Sequence, residues 1–71
     1  MSKRESDILY FVSFCIEQYK RHHGMAGGDV MSLFDEYHVT EYLFENYDML
    51  HTQGASWLME EIENYIGEHK K

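Results

Sequence analysis

Histidines and carboxylates are the residues of this chain with the greatest capacity for chemistry. The sequence contains 5 histidines and 13 aspartates or glutamates, all of them common metal ligands. His22 and His23 are adjacent, so on a helix their side chains diverge by about 100° and are poorly placed to hold one ion. Asp48 and His51 are three residues apart and can share a helix face. We predict no metal and no cofactor; the alternative is a small metal-dependent enzyme or sensor that uses Asp48 and His51.

Nucleophilic catalysis would have to use Cys15, the only cysteine. A reactive thiol needs an electropositive and partly open setting. Cys15 instead lies between Val12 and Ile16 on an apolar stripe, which favours a buried small hydrophobic residue. Gly27 and Gly28 precede a helix but lack the lysine and serine of a phosphate-binding loop. We therefore expect no catalytic residues and a protein that is not an enzyme.

The charge of the chain is strongly one-sided. Between His22 and His69 there are ten carboxylates and no lysine or arginine, and the formal net charge is −7. Such a surface repels nucleic acid and anionic membranes, and it favours a basic surface on another protein. The longest apolar segment, residues 8–16, is far shorter than the ~20 residues of a membrane span. We expect a protein partner, with neither nucleic acid nor a membrane.

Three acids, Glu41, Glu45 and Asp48, recur at i, i+4 and i+7 on the outer side of a predicted helix. Rows of this kind are usually solvated faces, and like charges at this spacing slightly destabilise a helix. The other interpretation is a docking face for a basic partner, because no lysine or arginine is near in sequence to pair with these acids. A complex formed through such a face should weaken as the salt concentration rises.

The elements that must position these side chains are helices. A chain of 71 residues makes a single domain, residues 1–71, and buries only roughly 60% of its unfolded surface. Apolar residues recur at helical spacing over residues 3–23, residues 29–37, a third segment that begins after Thr40, and residues 55–68. We predict an all-α fold, a compact bundle of about four helices with one long N-terminal helix, a short second helix and two further helices.

Local signals mark the ends of these helices. Ser2 and Glu5 form a capping box at the start of the first helix, and Gly24 can adopt the left-handed conformation that ends it. Thr40 is a good N-cap for the third helix. The predicted inner faces consist of Ile8, Val12, Cys15, Ile16 and Tyr19, then Val30, Leu33, Phe34 and Tyr37, then Leu43, Tyr47 and Leu50, and finally Leu58, Ile62, Tyr65 and Ile66.

Two aromatic placements bear on function. Tyr10 and Phe14 project roughly opposite to the inner face of the first helix. Either that helix is central in the fold, or a homodimer or partner interface covers these rings. Trp57 falls on the side of the last helix that carries Glu60 and Glu61. Either it folds under the preceding turn and closes the core, or it is an exposed interface anchor.

One run of residues is more specific than general helical patterning: Tyr47, Asp48, Met49, Leu50, His51, Thr52, Gln53 and Gly54. The same pattern includes Phe14-Cys15-Ile16-Glu17, Met25-Ala26-Gly27 followed by Val30 and Leu33-Phe34, and the ending Ile62-x-x-Tyr65-Ile66. In these features, which cover about residues 8–66, the chain resembles a bacterial family of short helical proteins known only as a domain of unknown function.

The resemblance implies a partner rather than an activity. Members of that family are encoded beside proteins similar to ADP-ribosyltransferases, which suggests a small partner or an antitoxin-like neutraliser. It assigns no catalytic residues, so the motif residues carried over have no assigned role: Tyr47, Asp48, His51, Thr52, Gln53 and Gly54.

Together, these observations predict a non-enzymatic, acidic protein–protein interaction module. We expect it in a bacterial cytoplasm, because a single cysteine excludes an intramolecular disulfide and no signal-peptide pattern is present. The expected partner is a protein such as an ADP-ribosyltransferase-like neighbour, and a homodimer stays open. The candidate partner-binding residues are Tyr10, Phe14, Glu41, Glu45, Asp48 and Trp57.

Overall fold

The computed structural model describes residues 2–70, which form five helices. These are α1 (Lys3–His23), α2 (Gly27–Glu36), α3 (Val39–Glu45), α4 (Tyr47–Leu50) and α5 (Ala55–His69). The predicted all-α fold is confirmed, and α1, α2 and α5 lie within two residues of their predicted bounds. The predicted third helix is instead two short helices, α3 and α4. Within residues 2–70, no helix combines the length and hydropathy that a membrane crossing requires.

Local capping explains why α1 begins and ends where the sequence predicted. The Ser2 hydroxyl accepts a hydrogen bond from the Glu5 backbone N–H at 3.1 Å and donates one to Glu5 Oε1 at 3.2 Å. At the other end, Gly24 adopts the left-handed conformation with φ of 61°. The N–H groups of Gly24 and Met25 both donate to the Lys20 carbonyl, which satisfies the end of the helix.

The junction between α2 and α3 differs from the prediction. His38, rather than Thr40, is the residue before α3, and it adopts a left-handed conformation with φ of 57°. This reversal turns the chain so that Val39, the first residue of α3, is fully buried. Thr40 therefore lies inside the helix and is not its N-cap. Burial of Val39 outweighs the capping preference of threonine, which is worth only about 1 kcal/mol.

Asn46 separates α3 from α4. Its side-chain Nδ2 donates a hydrogen bond to the Tyr42 carbonyl at 2.9 Å, while its own backbone N–H donates to the same oxygen at 3.1 Å. Asparagine side chains compete in this way for backbone groups and disfavour a continuous helix. As a result, the chain leaves α3 and starts the four-residue α4 at Tyr47.

A single apolar core lies between α1, α2, α3 and α5, and every predicted inner face contributes to it. Its buried members are Ile8, Phe11, Val12, Cys15, Tyr19, Val30, Phe34, Val39, Leu43, Leu50, Leu58, Met59, Ile62 and Ile66. Ile16, Leu33, Tyr37, Tyr47 and Tyr65 are partly buried against this core. Among residues 2–70 no polar or charged side chain is buried, so the core depends on hydrophobic contacts alone.

Three helix ends share one side-chain arrangement, in which a histidine stacks on the tyrosine one turn before it. The ring centroids of the pairs Tyr19/His23, Tyr47/His51 and Tyr65/His69 are 4.2, 4.4 and 4.2 Å apart. In the last two pairs, the Nδ1–H group of the histidine donates to the backbone carbonyl of the tyrosine at 2.7 Å. The imidazoles of His51 and His69 are therefore held at the carboxyl ends of their helices.

Candidate functional site

An open groove with aromatic walls lies between α1, α4 and the start of α5. It has a volume of about 330 Å³. We call it the aromatic groove, and its lining residues are Asp7, Tyr10, Phe11, Phe14, Tyr47, His51, Gln53 and Leu58. The groove therefore joins the second face of the first helix to three residues of the run 47–54, two features that the sequence presented separately.

The wall on α1 is formed by Tyr10 and Phe14, which lie one helical turn apart. Tyr10 is 79% exposed and Phe14 39% exposed. Beneath them, Phe11 and Leu58 are buried and belong to the core. α1 is central in the fold, since it packs against α2, α3 and α5, but these contacts do not cover Tyr10 and Phe14. Two large rings stand at the surface above an apolar floor.

The wall on α4 is formed by Tyr47 and His51, whose rings stack at an interplanar angle of 13°. The Tyr47 ring also meets the edge of Phe11 at a centroid distance of 5.5 Å, which ties the wall to the floor of the groove. Because the Tyr47 carbonyl can only accept, Nδ1 of His51 carries a proton and donates it in this hydrogen bond.

An exposed ion pair links α4 to the first turn of α1. Nη2 of Arg4 donates to Oδ2 of Asp48 at 2.9 Å, and the guanidinium carbon lies 5.9 Å from the centroid of the Tyr47 ring. The hydrogen bond from Arg4 lowers the pKa of the Asp48 carboxyl and raises that of the Arg4 guanidinium. Asp48 has no basic residue near it in sequence, but it does have a basic partner in the fold, 44 residues away in the chain.

The model of the family described as "Protein of unknown function (DUF3791)" matches residues 10–69. The chain belongs to this family. The match includes every lining residue of the aromatic groove except Asp7. Comparison with curated proteins and with solved structures gave no match.

The other motif residues of this DUF3791 chain lie around the turn before α5. The Thr52 hydroxyl donates to the Met49 carbonyl at 2.9 Å, and the Leu58 N–H donates to the Gly54 carbonyl at 3.0 Å. Thr52 thus closes the end of α4, and Gly54 starts α5. Gln53 is exposed and lines the aromatic groove. Of these three residues, only Gln53 belongs to the site.

The remaining candidate partner-binding residues lie outside the groove. Glu41 and Glu45 are exposed on α3, and Glu41 Oε2 lies 3.8 Å from His38 Nδ1. Trp57 is 42% exposed and lines a separate shallow depression with Glu60, Glu61 and Asn64. The alternative in which Trp57 folds under the turn and closes the core is therefore wrong.

Asp48 and His51, the basis of the metal-dependent alternative, do not form part of a converging set of ligands. Within residues 2–70, one group of three possible ligand atoms converges, and it consists of His22, His23 and Glu63. The backbone divergence expected for adjacent histidines does not keep their rings apart. Both imidazoles bend toward α5, where Glu63 meets them. No local pattern predicts this group, because it joins the end of α1 to a residue 40 positions later.

Cys15 has none of the properties of a nucleophile. Its side chain is fully buried in the core, and burial raises the pKa of the thiol to about 12. The thiolate required for attack is therefore scarce at neutral pH. The prediction that Cys15 acts as a small hydrophobic residue is confirmed.

Proposed function

We propose that this DUF3791 domain is a non-enzymatic protein-interaction module, and that the aromatic groove binds an apolar side chain from a basic segment of its partner. The observation that carries the proposal is the exposure of Tyr10 beside the floor formed by Phe11 and Leu58. A tyrosine that leaves 79% of its surface in water contributes little to its own fold. Its ring is instead available for contact with another polypeptide.

Aromatic rings are efficient anchors for such a contact. Tyrosine presents a large apolar surface and loses few rotamers when it is covered, and it is enriched among residues that dominate binding energy. Tyr10 and Phe14 are carried by a helix of 21 residues, which fixes their spacing before a partner arrives. The cost of ordering the binding surface is therefore low.

Charge supports a basic partner. The net charge is −7, and Asp7 lies at the rim of the groove. Glu41 and Glu45 add two exposed carboxylates on α3. A negative surface of this kind accelerates the approach of a positive partner and disfavours acidic ones. Asp48 contributes less than the sequence suggested, because Arg4 neutralises it.

The non-enzymatic part of the proposal is supported by the hydrogen bonds that His51 and Asp48 already make within the fold. Nδ1 of His51 donates a hydrogen bond to the Tyr47 carbonyl, and the imidazole stacks on the Tyr47 ring. The Asp48 carboxylate, which lies outside the lining of the groove, accepts a hydrogen bond from Arg4. An enzyme or metal-dependent sensor built on Asp48 and His51 is less well supported, since both side chains already have structural partners.

The first partner to test is an ADP-ribosyltransferase-like protein, as the family resemblance implies. Such a protein binds an anionic substrate in a cleft that requires basic side chains. An acidic domain with a projecting ring can compete for that cleft, which would make it antitoxin-like. The bacterial cytoplasm is the compartment we propose, consistent with one cysteine held in the core rather than in a disulfide.

Co-expression followed by co-purification at low salt tests the proposal. We expect a stable complex whose dissociation constant rises with ionic strength. Tyr10→Ala and Phe14→Ala should each weaken binding by at least about tenfold, a typical loss for an aromatic anchor. Met31→Ala is the matched control, because Met31 is 57% exposed on α2 and does not line the groove.

Three outcomes would count against this function. They are the absence of any complex at low salt, an affinity that does not change with salt, and a complex unaffected by Tyr10→Ala and Phe14→Ala. Sedimentation of the isolated chain provides a separate check. A homodimer that dissociates when Tyr10 is replaced would identify a second copy of the chain, rather than a different protein, as the occupant of the groove.

A further inference from the structure

The carboxyl end of α1 and the middle of α5 bring three metal-ligating side chains together. Glu63 Oε1 lies 2.8 Å from His23 Nε2 and 4.0 Å from His22 Nε2, and the three ligand atoms lie within 4.8 Å of one another. We propose that His22, His23 and Glu63 form a binding site for a divalent first-row transition metal ion, with Zn²⁺ as the best-matched ion. This proposal is independent of the aromatic groove.

The donor set defines the class of ion. Two imidazoles and one carboxylate suit zinc, nickel or copper, whereas calcium and magnesium prefer oxygen ligands alone. Zinc is commonly held by two histidines and one glutamate, with its fourth position open to water or another ligand. Two of the three ligands, His22 and Glu63, line a groove of about 430 Å³ together with Gln18, Ser56, Met59 and Glu60, so a ligand in the fourth position has access from solvent.

Only small side-chain movements are needed to reach coordination geometry. Zinc–ligand bonds of about 2.0–2.1 Å in a tetrahedron place neighbouring ligand atoms roughly 3.4 Å apart. The His23–Glu63 distance of 2.8 Å must therefore lengthen slightly, and the His22–Glu63 distance of 4.0 Å must shorten. All three side chains are partly exposed, so their terminal torsions can adjust without disturbing the core.

The surroundings favour a cation at this position. The ring of His23 packs against Tyr19 at a centroid distance of 4.2 Å and an interplanar angle of 33°, which restricts its orientation. The negative end of the α1 dipole and the net charge of −7 both attract positive charge. Arg21 also lines this groove and would repel an ion, but its Nε donates to Glu17 at 3.2 Å. Glu17 offsets part of this charge, because its other oxygen lies 3.8 Å from Lys20 Nζ.

A metal at this site would connect α1 to α5. Glu63 follows Ile62, which is fully buried, so the carboxylate is carried by a part of α5 that is packed in the core. An ion bound only by the folded chain stabilises that chain by mass action. Small domains often depend on such a cross-link, because their apolar cores alone are marginal.

Calorimetric titration of tag-free protein with Zn²⁺ is the direct experiment. We expect one saturable site per chain. At a free zinc concentration of 100 times the dissociation constant, the thermal midpoint should rise by on the order of 10 °C. His22→Gln, His23→Gln and Glu63→Gln should each weaken binding by at least about tenfold.

His38→Gln is the matched control, because the His38 imidazole also lies near a glutamate, Glu41 at 3.8 Å, but has no second histidine beside it. It should bind zinc as tightly as the wild type. Circular dichroism of the metal-free variants checks that each one folds. If a variant does not fold, the histidine ring resonances of the wild-type protein are measured with and without zinc instead. Zinc should shift the resonances of His22 and His23 and leave those of His38 unchanged.

Three results would overturn the proposal. The first is the absence of saturable zinc binding at submillimolar concentration. The second is binding that His23→Gln and Glu63→Gln leave unchanged. The third is a zinc-dependent shift at His38 equal to that at His22 and His23, which would indicate general binding to surface histidines.

Discussion

Arg4 and Asp48 connect the first turn of α1 to the first turn of α4 through a hydrogen bond of 2.9 Å. The same guanidinium lies near the ring of Tyr47. Arg4 thus lies against two consecutive residues of the run 47–54. The pair therefore adds an exposed contact between α1 and α4, beside one wall of the aromatic groove.

The Arg4–Asp48 pair should give the protein an acid-dependent component of stability. Arg4 lowers the pKa of Asp48 in the folded state, so the pair stabilises the fold above the unfolded pKa of about 3.9. That contribution is lost as the pH falls through the lower folded pKa. Asp48→Asn should therefore destabilise slightly at neutral pH and remove this part of the acid transition, as measured by chemical denaturation at a series of pH values.

Two comparisons make that measurement specific to the pair. Arg4→Gln should have the same small effect as Asp48→Asn, and the double variant should be no worse than either one. Glu45→Gln removes an exposed acid on α3 and should leave the acid transition unchanged. Additive losses in the double variant would show that Arg4 and Asp48 act independently. High salt should reduce the effect, because both side chains are exposed.

Cys15 should be inert to thiol reagents while the chain is folded. Its side chain is fully buried and the pKa of its thiol is raised to about 12, so labelling at mildly alkaline pH requires the chain to open. The labelling rate should increase in denaturant in parallel with unfolding. Cys15→Ser should cost about 1–3 kcal/mol, because it buries a hydroxyl in an apolar site. Rapid labelling of the folded protein would contradict this prediction.

Tyr42 should titrate at unusually high pH. Burial and the hydrogen bond from its hydroxyl to Glu61 Oε2, at 2.9 Å, raise its pKa to about 12. Since the raised pKa belongs to the folded state, the resulting stabilisation is fully present below about pH 10 and is lost as the pH rises through 12. Tyr42→Phe should cost about 1 kcal/mol at neutral pH.

Difference absorbance of tyrosinate provides the measurement for Tyr42. Glu61→Gln keeps an acceptor for the hydroxyl but removes the charge, so it should lower the pKa of Tyr42 toward the ordinary value. Tyr10→Phe is the control, because Tyr10 is largely exposed and its removal should leave the high-pH step in place. A single tyrosine transition near the ordinary value in the wild type would show that the Tyr42–Glu61 contact is absent in solution.

Trp57 should report on the surface of α5. The indole is 42% exposed and lies in a depression with Glu60, Glu61 and Asn64. Acrylamide should quench its fluorescence readily in the folded state, and Trp57→Phe should change the free energy of unfolding by less than about 1 kcal/mol. Efficient protection from the quencher in the isolated chain would instead indicate that the ring is covered.

The bounds of α1 could be predicted because its signals are local. Ser2 caps the helix through a residue three positions away, and Gly24 ends it through its own backbone conformation. The division between α3 and α4 has a different origin. It requires the Asn46 amide to reach the Tyr42 carbonyl, a contact that sequence spacing permits but does not favour over a continuous helix.

Only part of the aromatic groove could be predicted from the sequence. The projecting face of Tyr10 and Phe14 follows from helical periodicity, and the run 47–54 follows from family resemblance. Their meeting in one groove depends on where α4 packs, which no local pattern specifies. The same limit applies to Glu63, since its approach to His22 and His23 is decided by the crossing of α1 and α5.

α4 is only one turn long, and this should be visible in its hydrogen exchange. A single turn has almost no helical stability of its own, so residues 47–50 are held by Leu50 in the core and by the bridge from Arg4. Their amide hydrogens should exchange with deuterium sooner than those in the middle of α1 or α5. Slower exchange confined to this turn would therefore be the earliest sign that an occupant has entered the groove.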